Sequence, residues 1–285
     1  MLTVPLLLAA LVATPLPADT TVRISRGTTV AIEGAMSGIR LRTGDGDVVT
    51  VRGAAEVGVG SRRVTIEADF FAGRGGELTV TVPRWARVEI EGVNGNIVVE
   101  QAPEELDVES FNGQVSVTGG TGTMSLSNAS GQISVRNFTG RLLDVESLSG
   151  RVSIDGATGT INVETVNERI TLRNVRSRAV TLESTNGSID WSGALDPAGR
   201  YTFTTHNGGV TLELPPTVDA RLRVTTYQGG FDTAIPGTTS GNGIRSRQNG
   251  WDRAREFTVT YGRGAADVTV ETFNGGVRVR RLGDT

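Results

Sequence analysis

The chain has 285 residues and a net charge of -3, from 28 basic and 31 acidic side chains, so it lacks the basic excess that grips a phosphate backbone and nucleic acid is not an expected partner. It has no cysteine, and every basic residue is arginine, which removes thiol nucleophiles, disulfides, thiolate metal sites and lysine Schiff bases. With 5% aromatic residues against 38 glycines, the interior must be built from Val, Ile and Leu between many tight turns.

At the N-terminus, Leu2 to Val12 form an apolar run interrupted only by Thr3 and Pro5, followed by Pro15, Pro17 and Ala18. The run is too short for a membrane-spanning helix, which needs ~20 residues. It predicts a signal peptide over residues 1–18, cleaved after Ala18 or Ala13, although no Arg or Lys precedes the apolar run. The mature chain is then expected to be exported (periplasmic, cell-surface or secreted) with no transmembrane span. Residues 19–82 carry looser strand patterns, with Asp45-Gly46 as a clear turn, and predict irregular N-terminal coils or a cap.

From residue 83 a repeat takes over, and repeats are the first pattern to seek. Asn-Gly-like pairs stand at Asn94-Gly95, Asn112-Gly113, Ser130-Gly131, Ser149-Gly150, Asn167-Glu168, Asn186-Gly187, Asn207-Gly208, Gln228-Gly229 and Asn274-Gly275, spaced by 18 to 21 residues except for a final gap of 46. Six and four residues before each Asn position the side chain is apolar, as at Val88 and Ile90 or Leu143 and Val145. Three and five residues after it the same holds, as at Ile97 and Val99 or Ile189 and Trp191, with Thr233 the one polar exception. Each unit therefore reads as strand, bend, strand, with alternate residues facing inward. The expected fold is all-β, a single-chain parallel β-solenoid (β-helix) with coils of 18 to 21 residues; an antiparallel hairpin meander or sandwich is the alternative. The solenoid is favoured because residues just before the Asn position are often apolar (Val93, Phe111, Leu148, Val166, Tyr227, Phe273), as a corner would require, whereas a hairpin tip would expose them. Stacked Asn residues could also form a hydrogen-bonded ladder. Within a solenoid domain over 19–285, the regular repeats are expected at 83–235, a loop insertion at 236–255 and C-terminal coils at 256–282.

Val82-Pro83 followed by Arg87-Val88-Glu89-Ile90 and Asn94-Gly95, Leu214-Pro215 followed by Arg221-Leu222-Arg223-Val224, and the closing run from Val268 to Val277 resemble the bacterial putative-adhesin family of β-strand-repeat proteins, a domain of unknown function. The resemblance covers roughly residues 30 to 282. It implies a β-helical, exported or envelope-associated protein and supplies no catalytic residues.

Among candidate sites, Asn94, Gly95, Asn112, Gly113, Gly131, Gly150, Asn186, Gly187, Asn207, Gly208, Asn274 and Gly275 are expected to be structural turn residues, while Glu168 in a glycine column predicts a bend that is locally different or strained. Glu91, Glu109, Glu146, Glu164, Glu183 and Glu271 share one outward position and predict an acidic ladder at strand spacing. The one cofactor considered is calcium, on Asp107, Glu109, Asp144 and Glu146 beside the gap at Ser125 and Ser127, although a separation of two rungs, ~9.6 Å, is long for one ion. The single histidine, His206, reads as a corner packing residue, because no nucleophile motif accompanies it. Arg245, Arg247, Trp251 and Arg253 come nearest to a constellation that breaks the repeat. The expectation is a non-catalytic adhesin, envelope scaffold or interaction module whose partner is a protein or an envelope polysaccharide, with self-association through its end coils open to it. A carbohydrate-binding or carbohydrate-active β-helix is the alternative.

Overall fold

The computed structural model describes residues 19–35, 38–68, 77–240 and 254–283. Over these residues the chain is all-β, with 27 strands in two sheets of 13 and 14 strands. The signal-peptide reading of residues 1–18, and Arg245, Arg247, Trp251 and Arg253, lie outside the described residues.

Each coil of the array sends one strand into each sheet. Arg87–Asn94 joins the 14-stranded sheet, the chain bends at Asn94-Gly95, and Ile97–Ala102 joins the 13-stranded sheet before Glu105–Asn112 begins the next coil. Equivalent positions pair in parallel: Leu106 with Val88 and Met124, and Val115 with Ile97 and Ile133. The parallel pairing selects the solenoid over the hairpin meander. A strand that alternates its side chains must bury every second one when its sheet faces another, and the inward columns duly meet between the sheets. Val108, Leu126 and Val145 from one side and Val117, Val135 and Ile154 from the other are all but inaccessible to water. Near the C-terminal end the filling changes from aliphatic to aromatic, where Trp191 packs edge-on to Tyr201 with ring centres 5.4 Å apart.

Both ends of the stack depart from sequence order. At the N-terminal end, Thr29–Ala35 and Ile39–Gly44 form a coil that lies inside the one made by Arg63–Ala68 and Leu78–Pro83, sandwiched between it and the coil beginning at Arg87. At the C-terminal end the last coil, Ala266–Thr272 with Val277–Arg281, inserts between the coil of Arg200–Thr205 and that of Ala220–Thr226. Antiparallel strands appear only around these ends: Asp19–Arg23 on Val48–Arg52, Val48–Arg52 on Leu78–Pro83, Ala55–Val59 on Arg63–Ala68, and Arg255–Tyr261 on Ala220–Thr226 and Thr238–Ser240. Among its described residues, the stretch read as a loop and then coils at 236–282 thus holds two cap strands, Thr238–Ser240 and Arg255–Tyr261, before one inserted coil. Asp219 holds the turn between Arg255–Tyr261 and that coil, accepting backbone hydrogen bonds from Ala265 (3.0 Å) and Arg263 (2.8 Å), which keep its carboxyl below its usual range. An inserted last coil cannot fray without breaking pairing on two sides, and this counters the usual looseness of chain ends.

Candidate functional site: a groove along the 14-stranded sheet

The outer face of the 14-stranded sheet is written by period two. In Glu105–Asn112, Leu106, Val108 and Ser110 point inward, while Asp107, Glu109 and Phe111 point out. Parallel stacking turns each outward position into a row along the solenoid. One row reads Glu33, Glu91, Glu109, Ser127, Glu146, Glu164 and Glu183, each paired in register with the next. Strands lie about 4.8 Å apart, and two unit charges at that spacing repel by about 1 kcal/mol even in water. Arg63 and Arg87 offset the N-terminal end, where Arg63 binds Glu33 and Glu89 at 3.2 and 2.7 Å and Arg87 binds Glu89 and Glu105. Among the described residues Glu91, Glu109, Glu146, Glu164, Glu183 and Glu271 make no ion pair.

The neighbouring row, two residues further along each strand, is apolar: Phe111, Ala129, Leu148 and Val166. The expectation that a corner shelters these side chains is corrected here. Phe111 is 62% exposed and Leu148 53%, because each lies in phase with the outward glutamate two residues earlier. Between the two rows runs a groove of about 650 Å³, lined from Gly34 and Glu91 to Glu164 and Val166 and crossing consecutive coils. Further along the same row the rings stack on one another. His206 lies parallel to Phe273 with centres 4.7 Å apart, and Tyr227 is 5.1 Å from Phe273 on the other side. His206 is thus an exposed member of an outer stack and not an interior corner residue.

What fills the inside of the corner is polar, and the sequence reading passed over it. Two residues before eight of the nine Asn positions, all but that of Asn94, stand Ser110, Asn128, Ser147, Thr165, Ser184, Thr205, Thr226 and Thr272, all buried. Several of their side chains satisfy the bend: Thr205 Oγ1 accepts from the Gly208 amide at 3.0 Å and donates to the Gly187 carbonyl at 3.1 Å, and Ser184 Oγ accepts from the Gly187 amide at 2.8 Å. The signal was present as Ser/Thr-x-Asn-Gly, a local hydroxyl-to-backbone turn. Two hydroxyls of this column, Ser110 Oγ and Thr165 Oγ1, are buried without a hydrogen-bond partner.

The turn residues form ladders. Asn112 donates to Asn94, Asn186 to Asn167, Asn207 to Asn186 and Asn274 to Asn207, at 2.6 to 2.9 Å. Gly95, Gly113 and Gly131 adopt φ of 122 to 127°, the region that favours glycine. At Gly150, Gly187, Gly208 and Gly275 close stacking selects glycine instead: a Cβ on Gly208 would lie 1.9 Å from the Gly187 carbonyl oxygen. Of the two outcomes expected at Glu168, a locally different bend or a strained one, left-handed strain is not found, since Glu168 does not take a positive φ; Asn167 donates to the Leu148 carbonyl and to Ser149 Oγ.

Asp107 and Asp144 pair in register with Ser125 between them, and Glu109 and Glu146 with Ser127 between them. Among the described residues no group of three or more His, Cys, Asp or Glu is placed to hold a metal ion.

The two-sheet parallel solenoid with its continuous outer groove defines the class: a repeat scaffold that presents a long surface. A family model for the Toastrack DUF4097 domain matches residues 18–280, and the chain belongs to that family. The resemblance carried by the repeat motifs is thereby shown. No curated protein matches the chain. Among solved structures it is similar to a putative adhesin from Bacteroides fragilis NCTC 9343 (13% identity, 93% of this chain and 98% of that one covered, TM-score 0.38). It is similar also to a putative cell adhesion protein from Clostridium sporogenes ATCC 15579 (8% identity, 93% and 100% covered, TM-score 0.24).

Proposed function

We propose that the protein is an exported interaction module of the cell envelope, an adhesin or scaffold that engages its partner through the groove of the 14-stranded sheet and transforms no substrate. The observation that carries this reading is a glutamate row, free of ion pairs from Glu91 onward among the described residues, beside exposed Phe111 and Leu148 along one continuous groove. Exposed apolar side chains beside a polar rim mark interaction surfaces, and repeat folds use long surfaces of this kind. A sugar-stacking platform is less favoured, because the rings of His206, Phe273 and Tyr227 spend their faces on one another.

The test is retention of an envelope fraction on immobilised protein, comparing the wild-type chain with a Phe111→Ser, Leu148→Ser variant. Both positions are exposed, so the variant is expected to fold normally and to lose retention. Retention that survives the double substitution sinks the reading. Protease treatment of the fraction separates a polypeptide partner from a polysaccharide. Export is checked by the intact mass of the released chain, which is expected to begin after Ala18 or Ala13.

A further inference from the structure

We infer that the groove takes an extended polypeptide segment of pattern cation-x-apolar-x-cation, lying along the solenoid axis; this deepens the interaction reading and rests on it. The spacing of the rows sets the pattern. Glu91 pairs in register with Glu109 and Glu146 with Glu164, and the rung between the two pairs carries Ser127 and Ala129. With strands about 4.8 Å apart, the centres of the two glutamate pairs fall at about 2.4 and 16.8 Å along the axis from Glu91, and the Ala129 rung at about 9.6 Å. An extended chain rises about 3.3 Å per residue and turns alternate side chains to one face. Residues i, i+2 and i+4 anchored at the first pair would therefore stand at about 2.4, 9.0 and 15.6 Å, each close to its target.

The chemistry of each target fits its position. Each glutamate pair is like-charged and among the described residues binds no arginine, so a guanidinium fork or ammonium set between the two carboxylates relieves repulsion and gains charge-assisted hydrogen bonds. At the middle rung Ala129 sits between Phe111 and Leu148, a small side chain flanked by two large exposed ones, which leaves a notch for an apolar residue.

The probe is a fluorescent peptide carrying Arg-Ser-Leu-Ser-Arg between Gly-Ser flanks, titrated into the full chain at low salt by anisotropy, beside an isomer with its two arginines adjacent. The matched peptide is expected to bind at least about tenfold more tightly than the isomer, and Glu109→Gln with Glu146→Gln to weaken it by about tenfold or more, as loss of charge-assisted contacts implies. Calcium at the same ionic strength is expected to compete no better than sodium. Equal binding of the two isomers would reduce the effect to general attraction between opposite charges and overturn the inference, as would binding that ignores the glutamine substitutions. If the peptide fails while Phe111→Ser, Leu148→Ser still abolishes envelope retention, the interaction reading stands and this partner class is wrong; if both fail, the groove is not the interaction surface.

Discussion

The two sheets share one inward code and differ in what they show to water. On the 13-stranded sheet opposite charges are interleaved: Arg40 binds Glu77 and Glu100 at 3.0 and 2.7 Å, Arg42 binds Glu100, Arg169 binds Asp190, and Arg136, Asp155 and Arg173 alternate in register. On the 14-stranded sheet six glutamates along one row make no ion pair among the described residues and run beside exposed Phe111 and Leu148. Folding demands the inward columns of both sheets equally, so it cannot account for this asymmetry. A face that tolerates lined-up like charges and exposed apolar area gives up stability, and such departures are where function is to be sought.

The comparison presumes that the scaffold beneath the two faces is common, and its strongest test is a bend glycine that serves both. Gly208→Ala would drive a Cβ to 1.9 Å from the Gly187 carbonyl oxygen and 2.5 Å from its carbon, both backbone atoms that cannot rotate away, with Thr205 Oγ1 at 2.8 Å. We expect a loss of roughly 3 kcal/mol or more, the range of severe steric defects. Gly230, with nothing within 4 Å of its added Cβ, is the control and its alanine variant is expected to shift stability by less than about 0.5 kcal/mol. Urea denaturation of both variants checks this, and a mild Gly208→Ala would show that the stacked bends can slide apart.

Charge neutralisation should then act with opposite sign on the two faces. Glu109→Gln removes a repelling member of the unpaired row and is expected to raise stability by about 0.2–1 kcal/mol at low salt, the usual size of a cross-strand charge effect. Glu100→Gln removes the partner of Arg40 and Arg42 and is expected to cost about 0.2–1 kcal/mol, the range of exposed ion pairs. Both effects should shrink as salt is added. Equal signs, measured by thermal melts at two ionic strengths, would mean that the row is compensated in solution and that the asymmetry is only apparent.

Much of this was legible because parallel stacking makes sequence columns into spatial columns. Val88, Leu106 and Met124 declared the inward face by period two alone, and Asn94, Asn112, Asn186 and Asn207 declared the ladder at the bend. The out-of-order ends were not legible, since the column residues of the last coil, Val268 and Val270, fit equally well against any neighbour in the stack. Phe111 and Leu148 were misread for a different reason. An apolar side chain next to a bend suggests shelter, yet its phase with Glu109 or Glu146 already placed it outward. The groove follows from that phase together with the buried hydroxyls of Ser110 and Ser147, which occupy the inward position that an apolar residue was expected to fill.

The smallest effect concerns acid. The side chains of Arg42 and then Arg40 hydrogen-bond the Glu100 carboxylate and hold it below the ordinary value of 4.5, with burial opposing them. Because its folded value lies below its unfolded one, the stabilisation from this cluster is fully present above pH 4.5 and is lost as pH falls through the folded value. The difference in stability between the wild-type chain and Glu100→Gln should therefore be constant from neutrality to about pH 5 and close progressively below it. Side-chain exposure of 43% keeps that difference small, within the range of surface pairs. Urea midpoints of the two proteins across this pH range decide the matter. A gap that persists undiminished in strong acid would mean that Glu100 contributes through packing and not through its charge, and the contrast between a compensated and an uncompensated face would lose its electrostatic basis.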